Sequence, residues 1–196
     1  MPQLSPERLD QALRLTAERL EQLDAPTEVL VVCGGSALLA LGLVQRTTRD
    51  VDVLARVDPR LGLVDPRPLS VTLTRVADEV RTALDLPHGW LNVGPADQVV
   101  SGLPAGFLSR LIRRDYGSRL IFHYPDRFDL IHLKLFAAVD QGPGRHTSDL
   151  IRLAPTDSEL LDAARWVLTQ DASDAFPMMV RDALTHLGFP HVSARI

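Results

Sequence analysis

Cysteine is nearly absent: Cys33 stands alone in 196 residues. No intrachain disulfide can form, which fits a reducing compartment and leads us to expect a cytoplasmic protein. Lysine is equally scarce. Lys134 is the only one, and every other basic side chain is arginine. A bias toward arginine explains most of this, so Lys134 is either a chance survivor or a position that needs an ammonium. Basic excess is missing too. The formal net charge is −4, so nucleic-acid binding would have to rest on a local patch. No apolar run approaches the ~20 residues of a membrane span. The start, Met1-Pro2-Gln3-Leu4-Ser5, lacks a basic segment followed by an apolar one, so no signal peptide is expected. There are no repeats and no low-complexity segments. His123, His132 and His146 lack metal-ligand spacing and receive no role.

What is present is ordinary for a globular chain: 45% hydrophobic and 23% charged residues, enough for a core without covalent staples. Ser5-Pro6 marks a helix start, and Leu9, Leu13, Leu20 and Leu23 keep helical spacing over residues 6–24. A strand over 28–33, a helix over 36–44, a loop and a strand over 50–55 follow. The spacing predicts a helix over 69–85, a short strand or extended loop at Trp90–Val93, a strand over 119–124 and a helix over 127–140. Residues 95–117 read ambiguously. After the Gln141–Gly144 break, helices are expected near 147–153, 156–170 and 175–187, with a capping box at Thr156 and Glu159. The fold class is α+β: a small mixed sheet flanked by helices, with a C-terminal helical region. The expected division is a core with its N-terminal helix over 1–124 and a helical region over 125–196.

The chemistry concentrates after the first strand. Gly34-Gly35-Ser36 forms a strand-to-helix turn whose backbone can approach phosphate, with the Ser36 hydroxyl as a further donor. Alone it is a plain turn with Ser36 as N-cap. Asp50 and Asp52 alternate along a strand, so they share a face and can hold one or two Mg²⁺ ions. Alone they are two solvated acids. Turn, helix and acidic strand in this order point to nucleotide chemistry.

This pattern resembles the nucleotidyltransferase fold of the DNA polymerase β superfamily, and more narrowly the AbiEii and MenT-type toxins. Cys33-Gly34-Gly35-Ser36-Ala37-Leu38 resembles their Gly-Gly-Ser element. Arg46-Thr47-Thr48-Arg49-Asp50-Val51-Asp52 resembles their Arg-x-Thr-x-Asp-x-Asp element. Lys134 in His132–Ala138 and Asp149 in Arg145–Leu150 resemble two later motifs. The resemblance implies an NTP substrate gripped by Gly34, Gly35, Ser36, Thr48 and Lys134, with Mg²⁺ on Asp50 and Asp52. Lys134 would neutralise triphosphate charge, and Asp149 would position the lysine or bind the acceptor or metal. Thr48 lines the phosphate site by this reading, and in some relatives the hydroxyl there is phosphorylated by the antitoxin. The implied acceptor is the 3′ end of tRNA, the implied partner a cognate antitoxin, and no membrane is involved. A third carboxylate, frequent in the superfamily, has no clear counterpart. Transfer to a protein or small molecule, or a non-catalytic nucleotide-binding module, stay open as alternatives. Arg110, Arg113, Arg114 and Arg119 are either an RNA-backbone patch or a solvated helical face. Trp90 and Trp166 read as core packing.

Overall fold

The computed structural model describes residues 3–196 and divides into two units, Met1–Pro125 and Asp126–Ile196. In the first, Ser5 caps the opening helix by accepting a hydrogen bond from the Arg8 N–H, and Pro6 occupies the first turn. Helix α1 (Pro6–Gln22) buries Leu9, Leu13 and Leu20, each contributing about 2 kcal/mol of apolar burial. Leu23, expected on the same face, is the C-cap and is exposed. After β1 (Glu28–Cys33) comes α2 (Gly34–Ala40), which begins at the glycines themselves and ends earlier than the sequence predicts. Then follow β2 (Val51–Asp58), β3 (Gly62–Val64), α3 (Val71–Ala83), β4 (Leu91–Asn92), α4 (Asp97–Ser101), β5 (Ile112–Gly117) and β6 (Leu120–Tyr124).

The strands form one mixed sheet in the order β3-β2-β1-β6-β5, with β4 paired to β2. β1 runs antiparallel to β2 and parallel to β6, and β4 runs parallel to β2. Central strands β1 and β2 carry continuous buried runs, Leu30 to Cys33 and Val53 to Ala55, as strands covered on both faces require. The register between them slips at Val31/Val32, a bulge of the kind that re-aims side chains. The ambiguous stretch 95–117 resolves into α4, short 3₁₀ turns and the edge strand β5. The arginine cluster is therefore no helical face: Arg113 and Arg114 lie on β5. Arg113 pairs with Asp115 at 2.7 Å and Arg119 pairs with Asp24, so part of the expected basic patch is neutralised locally.

The second unit is helical: α5 (Arg127–Gln141), α6 (Arg145–Arg152), α7 (Asp157–Val167), α8 (Phe176–His186) and α9 (Pro190–Ser193). The capping box is in place, with Thr156 accepting from the Glu159 N–H and Glu159 accepting from the Thr156 N–H. Arg127, at the first turn of α5, bonds the Leu153 and Ala154 carbonyls and the Glu159 carboxylate, tying three helices together. Trp166 packs edge-on against His132 and Phe136, with ring centroids 5.8 and 6.1 Å away, and buried Trp90 donates its indole N–H to Ala77 O. Both tryptophans are packing residues, as the sequence suggests. Among the described residues no helix is long and apolar enough to cross a membrane.

Candidate active site

The turn after β1 is built for close approach. Gly34 has φ +72°, a left-handed conformation that costs an L side chain about 1–2 kcal/mol. A Cβ there would lie 2.3 Å from Asp52 Oδ2. The contact arises from strand pairing, because Cys33 faces Asp52 across the antiparallel β1–β2 ladder. A Cβ on Gly35 would lie 2.6 Å from Thr48 Oγ1 and 3.1 Å from an Arg46 guanidinium nitrogen. The two glycines thus let one acid, one hydroxyl and one cation gather over the turn.

The loop carrying Thr48 is clamped from the N-terminal segment. Leu4 and Thr48 exchange both backbone hydrogen bonds, at 2.7 and 2.9 Å, and both residues are buried. Arg46 donates to Thr47 O at 2.7 Å, and Thr48 Oγ1 lies 3.4 Å from Asp50 O. Asp50 sits one residue before β2 begins. Along 50–53 burial alternates: Asp50 and Asp52 are half-buried, Val51 and Val53 fully buried. That alternation puts the two carboxylates on the more accessible side.

Two features were not legible beforehand. Asn92, on β4, pairs with Asp52 in register and donates to Asp52 Oδ1 at 3.1 Å. Its role was invisible because 40 residues separate the two. Arg46 stands in the quoted motif but drew no individual role; its guanidinium brings positive charge to the glycine turn. Ser36 differs from expectation in its bonding. The N-cap is Cys33, and the Ser36 hydroxyl is 1% exposed and donates back to Cys33 O at 3.1 Å. As a phosphate donor it would first have to give up that bond.

Lys134 and Asp149 belong to the second unit. Neither is a surface residue: the ammonium meets the carboxylate at 2.8 Å with side chains 4% and 1% exposed. Such a pair fixes the ammonium's position, since leaving either charge buried alone is costly. Of the histidines, His132 is engaged with Phe128 O, and His146 contacts Gln141. Burial, with Arg113 across the strand pair, holds the His123 imidazole below its usual range and so neutral at pH 7.

The donor set suits a hard divalent cation in kind. Among the described residues no group of three or more His, Cys, Asp or Glu could hold a metal. Mg²⁺, however, is commonly held by one or two carboxylates, with water and substrate phosphate completing the shell. The Asp52 oxygen packs against Gly34 where a side chain could not fit, which sets a carboxylate directly at the glycine turn.

A mixed sheet with an acidic strand laid against a glycine turn, flanked by helices, is the nucleotidyltransferase fold, and its chemistry is nucleotidyl transfer. The chain belongs to a nucleotidyltransferase family of unknown function (DUF6036), whose model matches residues 7–143. It is thus a transferase of phosphorus-containing groups, a class that works on NTP with divalent metal. The matched span includes Gly34 through Lys134 and stops before Asp149. No curated protein and no solved structure matches the chain.

Proposed function

We propose that the enzyme moves NMP from an NTP to an acceptor hydroxyl with Mg²⁺, and that the acceptor is the 3′ end of tRNA. The observation that carries the reading is the Asp52 carboxylate held 2.3 Å from where a Gly34 side chain would begin. Asp50 and Asp52 would hold the cation. When bound, the cation would acidify the attacking hydroxyl and neutralise charge on the departing pyrophosphate. Gly34 and Gly35 admit the triphosphate to the backbone, and Arg46 offers it a guanidinium. Thr48 and Ser36 offer hydroxyls. The acceptor oxygen bonds to the α-phosphorus and gives its proton to solvent water. The bond from α-phosphorus to the bridging oxygen breaks, and pyrophosphate leaves with the electron pair. Lys134 is assigned phosphate charge by its motif, with Asp149 fixing its ammonium.

The choice of tRNA, and a role as a toxin that blocks translation until a cognate antitoxin restrains it, rest on the AbiEii and MenT resemblance of the motifs at Gly34–Ser36, Arg46–Asp52, Lys134 and Asp149. The test is transfer of label from each of four NTPs, with Mg²⁺ or with chelator, to total tRNA, protein or small-molecule acceptors. Label on tRNA that disappears with chelator and in Asp52→Ala supports the proposal. Label on protein or a small molecule replaces the acceptor, and full activity in Asp52→Ala overturns the site.

A further inference from the structure

We infer that Asn92 is a positioning residue for Asp52: it selects which carboxylate oxygen faces the cation, and as a neutral amide it keeps the centre at two carboxylates. This rests on Asp52 being a cation ligand, as proposed above. Asn92 lies directly across from Asp52 in the parallel β2–β4 pair. Its amide is tethered at both ends. Oδ1 accepts the Gly94 N–H at 2.8 Å, and Nδ2 donates to Asp52 Oδ1 at 3.1 Å. The first bond sets the sense of the amide. A backbone N–H can only donate, so the oxygen must face Gly94 and the nitrogen must face Asp52. With Oδ1 engaged by Asn92, Oδ2 is the oxygen laid over Gly34. Asn92 therefore orients Asp52 so that Oδ2 lies against Gly34, a residue with no side chain of its own.

The identity of the residue matters as much as its place. Groups that hydrogen-bond a ligating carboxylate change metal affinity by roughly 10–100-fold when removed. Aspartate here would have nearly the same shape and could still accept from the Gly94 N–H. It would set a second carboxylate where an amide now donates, at hydrogen-bond distance from Asp52. Two carboxylates that close resist joint ionisation, and a divalent cation between them relieves the repulsion. Asn92→Asp should therefore tighten cation binding and make stability depend on it. Asn92→Ala should loosen Asp52 and weaken binding.

The experiment measures Mn²⁺ binding to the full chain without nucleotide, by calorimetry and by the paramagnetic resonance of free Mn²⁺. Wild type, Asn92→Asp, Asn92→Ala and Asp52→Ala are compared, with circular dichroism to confirm folding and melting temperatures with and without Mn²⁺. We expect Asn92→Asp to bind about tenfold tighter and Asn92→Ala about tenfold weaker. Mn²⁺ should raise the melting temperature of Asn92→Asp more than that of wild type. With NTP, kcat of Asn92→Ala should fall more than its KM changes. Wild-type affinity in both folded Asn92 variants, with binding lost in Asp52→Ala, overturns the inference and leaves the proposed site standing. Undiminished binding in Asp52→Ala, or none in any protein, removes the cation reading and this inference with it. Should Asn92→Asp fail to fold, Asn92→Ala decides: weakened binding supports the inference and unchanged binding overturns it.

Discussion

Gly34→Ala separates the cost of backbone strain from the cost of moving a carboxylate. At φ +72° an alanine is destabilised by about 1–2 kcal/mol from conformation alone. Its Cβ would sit 2.3 Å from Asp52 Oδ2, so the two atoms must part by at least ~0.7 Å to reach 3.0 Å. The acid is the group that yields, yet Asn92 holds its other oxygen and β2 holds its backbone between β1 and β4. A displacement approaching 1 Å at a reacting centre can cost about 100-fold in rate, about 2.7 kcal/mol of transition-state stabilisation. Gly42 supplies the control: its φ is +68°, and nothing lies within 4 Å of a Cβ built there. Gly42→Ala should lose a similar 1–2 kcal/mol and keep its activity. Gly34→Ala should lose at least as much stability and about 100-fold in kcat/KM. The assay is pyrophosphate release under initial-rate conditions, beside urea denaturation of each variant. Equal activities for the two variants would refute the reasoning.

The second unit offers two stability predictions, both readable through Trp166 fluorescence in a Trp90→Phe background. Lys134→Met strips the ammonium from buried Asp149 and should destabilise the unit by about 3 kcal/mol, while adding Asp149→Leu should recover part of the loss, as for buried pairs generally; a double variant no more stable than Lys134→Met alone would contradict this. The hydrogen bond from Arg127, chiefly, holds the Glu159 carboxyl below its ordinary value of 4.5. A depressed carboxyl stabilises above its unfolded value, and that contribution fades as pH falls from about 4.5 through the lower folded value. Because Arg127 is 38% exposed, screening limits the effect to about 1 kcal/mol. Glu159→Gln should be less stable than wild type by that amount at pH 7 and converge with it in strong acid; a gap that is independent of pH would show that the charge is irrelevant.

Elements announced by local chemistry were readable from the sequence. Ser5-Pro6 and the Thr156/Glu159 box state where helices begin, and both caps form. The runs 28–33 and 119–124 are bounded by breakers and become β1 and, one residue shorter at its start, β6. The stretch 95–117 was unreadable because its structure is not periodic. Gly102 and Gly106 take positive φ, short turns replace long helices, and β5 exposes Ile112 through Asp115 in succession. An edge strand with four consecutive exposed residues shows no alternation for a pattern to detect. Arginines gathered there could not be told from a helical face.

The site divides along a similar line. Motif order could bring Gly34, Asp50, Asp52, Lys134 and Asp149 to notice, since each occupies a recognisable local frame. It could not say that Lys134 is buried, because the carboxylate that makes burial tolerable stands 15 residues away on the next helix. Nor could it say which glycine meets which group. That depends on register. Cys33 faces Asp52 only because the β1–β2 ladder slips once, between Val31 and Val32. Without the slip each later pairing would shift by one, and a one-residue shift exchanges the two faces of a strand. Cys33 would then face the buried Val53 in place of Asp52. The pairing of β1 with β2, bulge included, is thus what sets two motifs, separated in the chain by α2 and a loop, side by side, with a carboxylate oxygen against a glycine.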